Sequence, residues 1–292
     1  VPTALIVCRL LHFAATMLLF GASGFLWALA PAGLARELAG PVRRMAGVAI
    51  VVAAFTAFAW LALEAGEMGE GWSDSVNPET LSAVAFETAF GQVWLWRMGL
   101  ALVLLIALAT GRHDRWAFTV PAAALLLASL GLVGHAAMQS GLAGALHRLN
   151  HGVHLLCAGA WLGSLPPLIF CLMRYGAPRL RSEIGLTLRR FSGLGHFVAA
   201  LVVLTGIVNT AWTLGAWPVD FSSPYQMLLA LKIAIVAAML VMALVNRYIL
   251  TPRIKGQTGA ALRAIAINSV AEIGLGIAAL ALVSIFGTLA PV

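Results

Sequence analysis

Charge is what this sequence has least of. Of its 292 residues 10% are Asp, Glu, Lys or Arg, while 61% are hydrophobic; a soluble domain carries about 25% charged residues. That shortage excludes a water-facing globule and implies a protein embedded in a bilayer. Acidic residues are scarcer still, 11 against 18 basic, for a net charge of +7. On so apolar a chain, basic residues belong in cytoplasmic loops. No charge run or aromatic–basic interleaving points to nucleic acid, so no nucleic-acid partner is expected. Cysteine is rare too: Cys8, Cys157 and Cys171 all lie in apolar stretches, with no CxxC pair. Cys157 and Cys171 on one helix would stand about 21 Å apart at ~1.5 Å per residue, which rules out a disulfide between them. The chain also lacks a P-loop, an HExxH and a GxSxG motif, and its loops leave no room for phosphorylated-aspartate machinery. These absences argue against an enzyme and against ATP-driven pumping by this chain alone.

What is present is a series of long apolar runs. Eight segments reach the roughly 20 residues needed to cross a hydrocarbon core: 3–29, 42–65, 91–110, 115–135, 147–173, 189–214, 225–248 and 262–288. The first is too long for a signal-peptide core and is interrupted by Arg9 and His12, so it reads as a transmembrane helix. Pro31, Pro41, Pro178, Pro218, Pro224 and Pro252 fall between the runs, where helix breaks belong. The expected fold is all-α: eight transmembrane helices in one bundle, a single domain over 1–292, with an acidic loop at about 65–90 as its largest extramembrane piece. Every second loop is basic: Arg36, Arg43 and Arg44; Arg112 and Arg115; Arg174, Arg179, Arg181, Arg189 and Arg190; Arg253, Lys255 and Arg263. The positive-inside rule then places both termini outside the cytoplasm, which in a bacterium means the periplasm.

Four of the seven histidines, His135, His147, His151 and His154, crowd into residues 135–154. Ionisable groups near a hydrocarbon core are costly and mark function by default. His147, His151 and His154 follow i, i+4, i+7 spacing and form one stripe of a helix, with Trp161 close to the same face. His135 and Met138 close the preceding span, and the short connection Gln139–Leu146 makes the two spans neighbours. Imidazole with soft sulfur (Met138, and Cys157 nearby) suits copper: the sulfur favours Cu(I), while histidines alone accept Cu(II). The candidate metal ligands are therefore His135, Met138, His147 and His151, with His154 one turn deeper and His12 offered from a separate helix. Plain structural readings stand beside these. A single interfacial His is often an anchor, and His12 has a hydrogen-bonding role as an alternative. Arg9, Arg97 and Lys232 either pair internally with Glu64, Glu67 or Glu87, the preferred reading, or snorkel to the headgroups. His196 and Glu272 suit an exit path or proton relay, or local hydrogen bonds to Asn246 or Asn268. The scattered methionines Met17, Met98, Met227, Met239 and Met242 pack the bundle.

RLLHF in the first run, FGQVWLWRMGLAL around the third, GHA at His135, HGVHLLCAGAWLGSLPPL in the fifth, and TGIVNTAWTL followed by SPYQMLLALKIAIVAAMLVMALVNRYIL in order resemble the copper resistance protein D family of bacterial inner-membrane proteins. The resemblance runs along nearly the whole chain; Gln226, where Gly is expected after the Tyr of SPY, departs from it. It implies copper handling at the inner membrane, usually as uptake from periplasm to cytoplasm, with a periplasmic copper-binding partner of the copper resistance protein C type. Its motifs fall here on His12, His135, His151 and His154, with Trp161, Arg97 and Lys232 as further motif residues. Two other readings compete. A b-type haem protein would use two histidines such as His12 and His154 as axial ligands, with Arg9, Arg97 and Lys232 toward the propionates. A scaffold would deliver copper without transporting it.

Overall fold

The computed structural model describes residues 1–110, 115–134, 139–254 and 258–291. Among them every regular element is a helix. Helix α1 (Pro2–Gly24) runs on into a π-helical turn at Phe25–Leu29. α2 (Ala32–Met68) returns antiparallel, and a short α3 (Pro78–Glu87) lies in the connection to α4 (Ala89–Ala109). α5 (Arg115–Ala128) ends in a 3-10 turn, Ser129–Leu132. α6 (Gly141–Leu162) and α7 (Leu165–Met173) continue one another across Gly163–Ser164. α8 (Arg181–Leu214), α9 (Pro224–Val245), a second π turn (Asn246–Leu250), a one-turn α10 (Thr251–Arg253) and α11 (Thr258–Phe286) complete the chain.

Local signals set the ends of these helices. Asn77 accepts from the Glu79 amide ahead of Pro78, Thr88 accepts from Gly91, and Ser223 accepts from Gln226 ahead of Pro224; these are N-cap residues satisfying orphan amides, with proline at the first helical position. α8 stops at Gly215, whose φ of 66° is the left-handed cap that glycine adopts freely.

Among the described residues seven helical stretches are long and apolar enough to cross a membrane, by length and composition: Pro2–Leu29, Ala32–Met68, Ala89–Ala109, Gly141–Met173, Pro178–Leu214, Pro224–Arg253 and Gly259–Phe286. The run expected at 115–135 forms a shorter apolar helix over Trp116–Leu132. Pro41 is a correction to the sequence reading: it lies inside α2, which starts ten residues earlier than the apolar run. Leu34 and Leu38 are fully buried with Val42 against α7 and the start of α8, so packing carries the helix through the proline. Tertiary contact here outweighs the lost amide donor.

The core is built on α1. Leu5, Cys8, His12, Ala15, Leu19 and Ala22 recur at three- and four-residue intervals and are buried, mainly against α2 (Ala46, Ala49, Ile50, Ala53, Ala57, Trp60). α1 crosses α6 backbone to backbone. A Cβ on Gly21 would stand 2.4 Å from the Gly159 carbonyl oxygen, and one on Gly163 would stand 2.0 Å from that of Met17. Only glycine permits such an approach.

Candidate functional site

Antiparallel alternation brings the first half of α1, the second half of α2, the first half of α4 and the end of α5 to one face of the bundle. The starts of α6 and α9 and the ends of α8 and α11 share that face. Two clusters of ionisable side chains collect there, one around His12 and Arg97 and one along α6.

The first cluster surrounds His12, which is 1% exposed, and Arg97, which is fully buried. Arg97 donates from Nη2 to His12 Nε2 at 2.7 Å and from Nη1 to the Leu126 carbonyl at 2.7 Å and to Ser129 Oγ. Its guanidinium lies 4.8 Å from the Trp94 ring centroid, and His12 sits 5.6 Å from both Trp60 and Trp94. A guanidinium only donates, so His12 Nε2 accepts. The other ring nitrogen, Nδ1, therefore carries the proton and donates to Thr56 Oγ1 at 2.9 Å, while Thr56 donates onward to the Val52 carbonyl at 2.7 Å. His12 is a neutral imidazole with both nitrogens engaged. A metal or haem iron could take Nε2 only after Arg97 is displaced, which tells against the His12–His154 haem pairing.

The expected pairing of the buried cations with Glu64, Glu67 and Glu87 is corrected by the structure. Arg9 donates to the Gly287 carbonyl at 3.0 Å and lies 5.3 Å over Trp60, whose Nε1 donates to Glu64 at 3.2 Å. Among the described residues the ion pairs within 4 Å are Arg174 and Arg179 with Glu37, at the opposite face. Carbonyls and aromatic faces, abundant in a helical bundle, replace the scarce carboxylates.

The second cluster lies between α6 and α8. His147, His151 and His154 stand one per turn on α6, as the spacing predicts. His147 is 2% exposed, its ring is 5.2 Å from Trp212, and its buried Nδ1 has no hydrogen-bond partner among the described residues. The His151 and His154 rings are 6.3 Å apart and 10° from parallel. Asn150 donates to the Thr205 carbonyl at 2.9 Å and to Asn209 Oδ1 at 2.8 Å. That fixes the Asn209 amide, whose Nδ2 is 3.2 Å from His151 Nδ1 and donates to it. His151 thus holds its proton on Nε2. His154 has the opposite tautomer. The Thr205 hydroxyl donates to Leu201 at 2.5 Å, so at 2.9 Å it accepts from His154 Nδ1–H. The His154 Nε2 lone pair is left without a hydrogen bond among the described residues, and Lys232 on α9 is near enough for its charge to act on the ring.

His135 and Met138 lie outside the described residues. Among the described residues no three His, Cys, Asp or Glu side chains converge where they could hold one metal ion. Cys8, Cys157 and Cys171 are free thiols. Sequence reasoning missed Asn150, Thr205 and Asn209, which set the tautomers, and Thr56 and Ser129, which hold His12 and Arg97. A polar residue facing a histidine across two apolar helices was the available signal.

Fold and site define a polytopic α-helical membrane protein with imidazoles gathered near one face. The chain belongs to the copper resistance protein D family. Residues 1–145 match the model of the copper resistance protein D-like N-terminal domain, and 185–286 match that of copper resistance protein D. The histidine stripe of α6 falls between the two matched segments. The chain is 36% identical over 288 residues to Inner membrane protein YebZ of Escherichia coli K12, covering 98% of each. It is 29% identical over 222 residues to Copper resistance protein D of Pseudomonas syringae pv. tomato, covering 70% of each. To Copper transport protein CutJ of Bacillus subtilis it is 25% identical over 228 residues, 76% of this chain and 40% of that protein. No solved structure matches.

Proposed function

We propose that this chain is a multi-pass copper-handling protein of the bacterial inner membrane that passes copper from periplasm to cytoplasm. The observation that carries the reading is His154: its Nδ1–H is committed to Thr205, and its Nε2 lone pair is left for a ligand. Metal-binding histidines are held in this manner, with the second nitrogen donated to an oriented acceptor. His151 and His147 continue the stripe outward, and the buried Nδ1 of His147, without a hydrogen-bond partner among the described residues, is a second candidate donor. His135 and Met138 adjoin them in the sequence, and Met138 sulfur favours Cu(I). Several moderate sites in series let an ion move by ligand exchange without being trapped.

The names of the relatives, two of them copper proteins and one an inner membrane protein, support the assignment. With Trp116–Leu132 as an eighth crossing, both termini and the acidic 69–88 connection lie in the periplasm, opposite the basic loops. The acidic connection then offers a docking face to a periplasmic copper-binding protein of the copper resistance protein C type.

The double variant H151A/H154A is expected to lose high-affinity copper binding in detergent while remaining folded. Unchanged copper stoichiometry overturns the site. Proteoliposomes carrying the protein should accumulate more copper than empty vesicles; equal accumulation overturns transport by this chain alone.

A further inference from the structure

Polar groups continue beyond His154. Seven residues on, Trp161 Nε1 donates to Glu272 Oε2 at 3.1 Å, and Asn246 Nδ2 donates to Oε1 at 2.9 Å. Asn268, one turn toward the start of α11, donates to Asn246 Oδ1 at 3.0 Å. Asn246 opens the π turn that interrupts the end of α9, and such irregular turns inside helices are frequent at functional sites. Glu272 is 2% exposed and, among the described residues, has no cation within ion-pair distance.

The elements packed around this part of α11 carry these other titratable or charged groups: Cys8, Arg9 and His12 on α1; His147, Arg148, His151, His154 and Cys157 on α6; Cys171 on α7; Tyr225 and Lys232 on α9; Arg247 and Tyr248 in the π turn; Arg253 on α10; and Arg263 on α11 itself. Arg247 is held by Ser192 at 2.5 Å and Tyr248 by His196 at 3.1 Å. Among the described residues none of these groups forms an ion pair with the carboxyl, whose partners are Trp161 and Asn246. A buried carboxylate without a cation is costly. A protonated one still offers lone pairs to both donors, so this setting accommodates either form.

We propose that Glu272 is a proton-binding site, loaded past Asn246 and Asn268 from the side on which α11 begins, and that its proton and a copper ion at His154 exclude one another. The second half rests on the copper reading above. Seven helical residues at ~1.5 Å each put the two levels roughly 10 Å apart. At an effective dielectric constant of about 20, two unit charges at that separation change an affinity about tenfold. The coupling is reciprocal, so proton and metal each weaken the other by that factor. Exchange of one monovalent ion for one proton moves no net charge.

Infrared difference spectra of the purified, metal-free protein in nanodiscs, taken across pH, test the first half. A protonated-carboxyl band should disappear as pH rises, be missing in E272Q and persist in E64Q. In W161F, which keeps the carboxyl but removes one donor, the band should titrate at a different pH. A band that E272Q leaves intact, or that W161F leaves at the same pH, overturns the proton site. Copper affinity by chelator competition at alkaline pH tests the second half. E272Q should bind about tenfold more weakly than the native chain, and E272D should not; equal affinity in E272Q overturns the exclusion. If the native protein binds no copper while the band still titrates and vanishes in E272Q, the copper reading fails and the proton site stands.

Discussion

Replacing Thr205 by valine keeps the shape of the α6–α8 contact and removes one oxygen. That oxygen accepts the Nδ1–H of His154 at 2.9 Å and donates to the Leu201 carbonyl in its own helix. The Leu201 carbonyl loses only an accessory bond, so the loss falls on His154. A donor left unmatched in a bundle interior costs about 1–3 kcal/mol. The ring escapes most of that cost by moving its proton to Nε2, which uses up the lone pair offered to a metal. Loss of such an orienting partner typically lowers metal affinity about 10–100-fold, or roughly 1.4–2.7 kcal/mol. Chelator competition on purified T205V should show that drop, and T205S, which restores the acceptor, should recover most of it. An affinity for T205V within about twofold of the native chain, in a preparation where H154A has lost copper, would refute the claim that Thr205 sets the tautomer.

His12 and Arg97 should respond asymmetrically. H12L leaves a buried guanidinium short of an acceptor and should destabilise by about 1.5–3 kcal/mol, the range for hydrogen bonds to charged groups. R97M removes the charge and should cost less, as read from denaturant unfolding in detergent; equal stability of H12L and the native chain would contradict the network. In the 69–77 loop, the Glu70 amide and the Thr80 hydroxyl hold the Asp74 carboxyl below its usual range. Its folded value lies under its unfolded one, so its contribution is present at neutral pH and is lost as pH falls through the folded value. Amide exchange in this loop should accelerate on such acidification, and D74N should abolish that dependence.

The helices and their order were legible because apolar runs leave a bilayer-spanning chain few alternatives. The stripe His147–His151–His154 was legible because i, i+4, i+7 spacing fixes a face whatever the neighbours are. The fate of Arg97 was not. A buried cation is satisfied equally by a carboxylate, by a carbonyl or by an imidazole lone pair, and only the tertiary fold brings Leu126, Ser129 and His12 to it. Likewise Pro41 signals a break by its missing amide, yet packing around Leu34, Leu38 and Val42 carries α2 through it. The local bond between Glu272 and Asn246, considered from the sequence, is present; the Trp161 indole that completes it comes from a helix more than a hundred residues away.

The glycine-lined crossing of α1 on α6 has a mechanical corollary. Main chains in direct contact have no intervening side chains to repack, so the pair behaves as a stator that holds the imidazole stripe and His12 in fixed register. α9 is the opposite case: Tyr225, Leu229 and Met239 are its buried residues, and the rest of its surface turns outward or stays half-covered. Lys232 and Asn246 ride on this loosely seated rod, with the π turn at its end as a pivot. A shift of α9 would therefore carry Lys232 relative to His154 while the α1–α6 crossing stayed fixed, and a cross-link pinning α9 to α11 is expected to prevent it.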